Sequence, residues 1–229
     1  MRHAESDQEK QMKLTWSFVF VAVLAAGTVL VAQSPASRPL SPDGIASVHV
    51  LGKWEKTERE QFTLGGERYV GGSWIDITYG RPMLRGREAF TGAGAEYGKA
   101  AYAGAPVWRA GANLSTRLKS SIPLVIGTTT VPEGEYSLFI ELNSPTQWTF
   151  IVSSWVQAPR FSAPITDGLY GAFNYTPEKD VARAPMRVAP LPYQVEQLTW
   201  EFINMTATGG RMAIMWDKTM GSVPFSFGR

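Results

Sequence analysis

Six short runs of this chain alternate apolar and polar residues with a period of two. In Ser73–Tyr79, Ile75, Ile77 and Tyr79 share one face, and Asp76 and Thr78 take the other. Glu135–Leu142 puts Tyr136, Leu138, Ile140 and Leu142 together, and Trp148–Ser154 follows after an Asn143–Pro145 turn. Leu198, Trp200 and Phe202 alternate in the same way. So do Met212, Ile214 and Trp216 after the Gly209–Gly210 turn, and then Val223, Phe225 and Phe227. Successive side chains of a strand point to opposite faces, so each run predicts a half-buried strand. Short strands joined by Gly- and Pro-rich turns predict an all-β, antiparallel β-sandwich, jelly-roll or immunoglobulin-like, over residues 44–229. Trp74, Trp148, Trp200 and Trp216 lie in these runs and are expected in one aromatic core. Trp108 and Trp155 sit beside loop-like sequence and are expected to be partly exposed. The best helix signal is Thr176–Asp180, with a capping Thr, Pro177 at the first helical position and Glu178 at the positive end. It is expected to last a turn or two before Pro185 stops it.

The other constraint is at the N-terminus. Leu14–Ala32 carries no charge and is long enough to span a bilayer as a helix. Lys10 and Lys13 precede it, and the next basic residue is Arg38. This asymmetry keeps a tail of residues 1–13 in the cytoplasm and places the remainder outside, in the periplasm or cell envelope. Residues 14–32 fit both a signal anchor and a cleaved signal peptide. Residues 33–43, rich in Pro and Ser, read as an extended linker.

Much familiar chemistry is missing. The chain has no Cys, which removes disulfides, thiolate zinc sites, a cysteine nucleophile and lipid attachment. It has two His: His3 falls in the tail, and His49 in an alternating run, where it reads as a rim or core residue with one partner. There is no metal motif, no G-x-S-x-G elbow and no dinucleotide-binding spacing, so no cofactor is expected. The charge of +2 and pI of 8.8 give no basic stripe for nucleic acid.

Two strings stand out: "RPMLRGR" from Arg81 to Arg87, and "VWRAGAN" from Val107 to Asn113. From Arg81 to Arg117 there are six basic residues, five of them Arg, against two acidic ones, a surplus as large as four in a chain of net charge +2. Arginine's planar fork suits carboxylate, phosphate or backbone carbonyls. Between the strings, Thr91–Pro106 reads as a long flexible loop bearing Tyr97 and Tyr102. Asn113 beside Gly111 suits a left-handed turn. Two readings stay open: a ligand site, or an internal brace.

Eight ordered blocks, from "SPDGIASV" through "ITYGRPMLRGREAF", "VWRAGANLST" and "YGAFNYTPEKDVARAPMRV" to "MAIMWDKTMGSVPF", resemble a bacterial exported family catalogued as domain of unknown function 2911. The resemblance covers about Ser41 to Phe227. It implies an extracytoplasmic β-rich domain with no established activity. Its signature falls on Arg81, Pro82, Gly86, Arg87, Trp108, Arg109, Gly111, Ala112 and Asn113, then on Tyr175, Asp180 and Arg183. Gly80 stands where the family often has Ser, and the Ala93–Ala105 segment is longer than the family's compact loop.

The first functional expectation is a non-catalytic binding module for an anionic or polyhydroxylated ligand, such as a cell-wall fragment, glycan or carboxylate peptide. Its ligand-binding residues would be Arg81, Arg87, Trp108, Arg109, Asn113, Tyr175, Asp180 and Arg183. The alternatives are a structural or interaction domain of the cell envelope, and a hydrolase or lyase using Asp180, Asp167, Glu178 or Tyr175.

Overall fold

The computed structural model describes residues 39–57, 66–157 and 169–228. The expected tail, the apolar segment 14–32 and linker residues 33–38 lie outside the described residues, as does Asp167. Among the described residues no helix is long and apolar enough to cross a membrane.

The strands are β1 (Asp43–Val50), β2 (Lys53–Lys56), β3 (Glu67–Val70), β4 (Ser73–Gly80), β5 (Thr116–Ser120), β6 (Leu124–Ile126), β7 (Thr129–Val131), β8 (Gly134–Ser144), β9 (Gln147–Ser153), β10 (Asp180–Thr206) and β11 (Gly209–Phe227). Nine form one antiparallel sheet in the order β1-β4-β5-β8-β9-β10-β11-β6-β7, and β2 and β3 form a separate two-stranded ribbon. The protein is all-β, as the alternation predicts. The helical signal at Thr176 gives a single 3-10 turn, Pro177–Lys179. Strand pairing ends it before Pro185 can, because Asp180 already pairs with Ser153 of β9.

Strand β10 joins the two halves of the sheet. Its first residues, Asp180–Met186, pair with β9. From Arg187 it pairs with β11 instead. The change of partner is followed by register breaks between Pro190 and Thr199, where Pro190 and Pro192 have no N–H for the ladder.

The alternating faces fill one core: Ile75, Ile77, Leu118, Leu138, Ile140, Phe150, Leu198, Trp200, Met212 and Ile214 are all buried. Trp148 and Trp200 join it as expected. Trp216 is half-buried, whereas Trp74 is 52% exposed. Strands β8 and β9 are covered on their other face too. The cross-strand pair Phe139 and Ile151 anchors a second cluster with Ala105, Val107, Leu169, Ala172 and Tyr175. "SLFIEL" carries this signal, since Phe139 is apolar on the face where strict alternation would put a polar residue.

The Thr91–Pro106 segment is not the open loop expected. It contains a 3-10 turn, Gly94–Glu96, and one helical turn, α1 (Lys99–Tyr102). Tyr97 and Tyr102 are buried in the main core, and the Leu142 backbone N–H donates to the Tyr102 hydroxyl at 2.8 Å. Two large aromatic anchors outweigh the local flexibility of Gly and Ala. Burial pushes both phenols above their ordinary value.

Gly80 closes β4 against the second string. A Cβ there would lie 2.1 Å from the Ala112 carbonyl oxygen, while the Ala112 N–H donates to the Gly80 carbonyl at 3.1 Å. The neighbour is backbone held in a turn and cannot rotate away. Gly80→Ala is therefore expected to destabilise the domain by ~1–3 kcal/mol, the usual range for overpacking, measured by chemical denaturation.

Candidate functional site

The second string runs in the lane of β5. Trp108 donates its N–H to the Ile140 carbonyl at 3.0 Å and accepts from the Ile140 N–H at 2.9 Å. The chain then turns through Ala110 and Asn113, both in the left-handed region at φ 52° and 62°, before β5 begins at Thr116. Asn113 thus takes the predicted left-handed turn.

Pairing with Ile140 decides where each side chain goes. Residues directly opposite in an antiparallel pair share a face, and neighbours in sequence take the other. Trp108 therefore enters the main core with Ile140. It is 1% exposed, close to Phe90 and Trp148, and stacked on Trp216 at 6.3 Å. The expectation of a partly exposed Trp108 is overturned: the flanking Gly and Ala resemble a loop, but the backbone is paired. Arg109 points to the opposite face and is only 9% exposed. It donates to the Asn113 carbonyl and lies 5.6 Å from the Phe173 ring centroid. Gly171 makes room for it, since a Cβ there would lie 2.4 Å from the guanidinium carbon. Burial pushes the guanidinium below its ordinary value, with Tyr170 acting the other way. Arg109 forms no ion pair with a described carboxylate.

The first string diverges from it. Arg81 donates to the Leu198 carbonyl at 3.3 Å and to Thr199 Oγ1 at 3.3 Å, fastening β4 to β10. Arg87 is exposed and donates to the Leu84 and Met83 carbonyls of its own turn, at 3.0 and 2.9 Å. Both strings also hold the chain that leads into β1. Arg85 donates to the Leu40 carbonyl at 3.2 Å, Asn113 Nδ2 to that of Ser41 at 3.1 Å, and the Arg81 N–H to that of Pro42 at 2.9 Å. The last residues of the expected linker are strapped to the domain.

Tyr175, Asp180 and Arg183 do meet. The Tyr175 hydroxyl donates to Asp180 Oδ2 at 2.8 Å, and Arg183 Nη1 reaches the same oxygen at 2.7 Å and the phenol at 3.2 Å. Glu141 of β8 completes the group, 2.6 Å from Arg183 Nη2. The sequence reading missed Glu141. Its signal was a charged residue facing away from the Leu138–Ile140–Leu142 core. The Asp180 side chain is 7% exposed, and its Oδ1 has no partner. Burial first, and then the bond to Asp180, push the Tyr175 phenol well above its ordinary value. Glu178 is exposed, and among the described residues no group of three His, Cys, Asp or Glu is placed to hold a metal. His49 lies at the rim with two ring neighbours where one partner was expected: it stacks on Trp74 at 4.5 Å and meets Tyr69 edge-on at 4.9 Å.

The eight expected ligand residues are thus divided: Trp108 enters the main core, Arg109 the opposite face, Arg81 meets β10, Arg87 its own turn, Asn113 the Ser41 carbonyl, and only Tyr175, Asp180 and Arg183 come together. A family model described as "Protein of unknown function (DUF2911)" matches residues 60–225. The chain belongs to that family. No curated protein and no solved structure matches it. The match spans both strings and the Tyr175 network.

Two consequences follow for stability. Arg109→Ala leaves the Asn113 carbonyl without its donor and opens space beside Gly171. Such losses cost ~1–3 kcal/mol, which lowers the melting temperature by roughly 2–4 °C per kcal/mol in a domain of this size. Gly171→Ala is expected to lower it as well, by displacing the same guanidinium, and thermal melts of both variants beside the parent chain check this.

Tyr175 gives a pH dependence. Its folded pKa is raised from 10.0, so above about pH 10 the unfolded chain releases a proton that the folded chain keeps. The contribution is complete below pH 10 and is lost as pH rises beyond it. Tyr97 and Tyr102 are shifted the same way and share the slope. Tyr175→Phe is expected to reduce the alkaline loss of stability without abolishing it. At neutral pH it costs ~1.5–3 kcal/mol, as for a hydrogen bond to a charged group, read from denaturation curves at a series of pH values.

Proposed function

We propose that this chain is a non-catalytic binding module acting outside the cytoplasm, tethered by or released from the apolar segment 14–32. Its ligand is anionic or polyhydroxylated and is met on the outer face of β1, β4 and β5. On this reading the signature residues brace that face. One contrast carries the proposal. The signature's Trp108 is packed in the core and its polar side chains are engaged with the domain's own carbonyls, hydroxyls and carboxylates, whereas the outer face keeps polar groups open around two hollows. The larger, about 500 Å³, is lined by Ile45, Thr78, Tyr79, Ala112, Leu114 and Arg117, among others. The second, about 410 Å³, lies around Trp74 and Lys119, and both fall in the range of small-ligand sites. Supporting the extracytoplasmic placement are Lys10 and Lys13 before the apolar segment and the absence of Cys.

We also read the sheet as closing into two layers, a sandwich of jelly-roll or immunoglobulin type. Supporting this are the Arg81 bond to Leu198 and the Trp200 Nε1 bond to the Ala110 carbonyl at 2.9 Å, which join the second half of β10 to segments that do not neighbour it in the sheet order. The hydrolase or lyase reading loses its best acid. Asp180 and Glu141 are bridged by one guanidinium and do not face each other across a cleft.

Titration calorimetry with polygalacturonate as anion and cellotetraose as neutral polyol tests the binding reading. At least one is expected to bind, several-fold more weakly in Lys119→Ala and unchanged in Arg87→Ala. Loss of binding in Arg87→Ala with Lys119→Ala unaffected returns the site to the signature. No heat with either of these, nor with xylotetraose, mannotetraose or chitotetraose, removes the reading.

A further inference from the structure

The rim of β1 and β4 carries an aromatic ladder that plays no part in the brace. Trp54 of β2 meets Tyr69 of β3 at 5.2 Å, Tyr69 stands edge-on to His49 of β1 at 4.9 Å, and His49 stacks on Trp74 of β4 at 4.5 Å, with planes 1° apart. The ladder is tied to the backbone around it. The Tyr69 hydroxyl accepts from the Gly52 N–H at 2.7 Å. The Trp74 backbone N–H donates to Ser121 Oγ at 3.0 Å, and the Trp74 carbonyl accepts from the Ser121 N–H at 3.1 Å. Yet its two ends are open: Trp54 is 64% exposed and Trp74 52%. An alternating strand that buries Ile75 and Ile77 leaves Trp74 outward, with the His49 ring on one of its faces and half of its surface exposed.

What borders Trp74 is polar. The hollow of about 410 Å³ on this face is lined by Trp74, Asp76, Lys119, Ser121 and Glu135, and His49 is not part of its wall. One side of the indole is thus covered by the imidazole while the residue also walls an open hollow. Asp76, Lys119 and Glu135 are direct cross-strand neighbours on β4, β5 and β8. Adjacent strands lie ~4.8 Å apart, so an acceptor, a donor and a second acceptor stand in one row. Glu135 is paired with Arg117 at 3.1 Å. Among the described residues Asp76 and Lys119 form no ion pair or side-chain hydrogen bond. Their charges balance, so the row offers directional hydrogen bonds without a net field for an anion.

We infer that this face binds a neutral glycan, one sugar ring stacking its apolar C–H face on Trp74 while its hydroxyls bridge Asp76 and Lys119. An aromatic face carries a negative quadrupole that attracts polarised C–H groups, and carboxylate and ammonium match the acceptor and donor of a hydroxyl pair. The assignment rests on the binding-module reading and narrows it to the polyhydroxylated class.

The test uses the full chain in a detergent without a sugar headgroup, with tryptophan fluorescence and calorimetry. The probes are cellotetraose, xylotetraose, mannotetraose and chitotetraose, with polygalacturonate as the anionic comparison. At least one neutral tetrasaccharide is expected to bind with an affinity that added salt leaves unchanged. Trp74→Ala is expected to weaken it about tenfold or more, and Asp76→Asn and Lys119→Ala several-fold each. Trp74→Phe should restore most of the affinity, and all these variants should melt with the parent chain because the side chains are at the surface. Binding that survives Trp74→Ala overturns the inference. Binding of polygalacturonate alone, sensitive to salt and indifferent to Trp74, overturns it while leaving the broader binding reading in place. Silence from all five probes removes both.

Discussion

The exchange of two backbone hydrogen bonds between Trp108 and Ile140 governs the rest of the signature. Once that pair forms, residue 108 must face the main core and residue 109 must face away from it, because a strand alternates. The indole then meets Phe90, Trp148 and Trp216, and the guanidinium goes to the second cluster beside Gly171 and Phe173. A single ligand cannot touch both. The left-handed turn that follows exposes the Ala110 carbonyl inward, where Trp200 Nε1 donates to it at 2.9 Å and Thr116 Oγ1 at 3.1 Å. Backbone strain at a non-glycine residue is held in place by two buried donors.

From that turn the brace spreads to elements remote in sequence. Ala112 bonds Gly80 at the end of β4, Arg81 reaches the second half of β10, and Arg85, Asn113 and the Arg81 amide together hold Leu40–Pro42. Arginine suits this work because its fork can satisfy several carbonyls at once, and loop carbonyls are the groups a strand end leaves unpaired. The chain entering the domain is therefore gripped where it meets the sheet.

Some of this was legible in the residues. The period-two runs marked β4, β8, β9 and the ends of β10 and β11, and named the faces that became the core. Asn113 beside Gly111 marked the left-handed turn, and arginine's planar fork placed backbone carbonyls among the natural partners. Other readings failed for identifiable reasons. Thr91–Pro106 is rich in Gly and Ala, yet Tyr97 and Tyr102 pin it. Trp74 sits in a strand run, yet lies on the outward face. Glu141 stayed unnoticed because its partner Arg183 is 42 positions away.

By itself the sequence determined the class of structure, the strands that alternate cleanly with their buried faces, and the family. These depend on local periodicity and on blocks of residues, which a chain carries wherever it folds. The tertiary structure decided what the signature does. Whether an arginine meets a carbonyl, a carboxylate or a ligand depends on which distant segment the sheet brings beside it. For Arg109 that was fixed by the pairing of Trp108 with Ile140 and by the missing side chain of Gly171, a contact between residues that no local pattern connects.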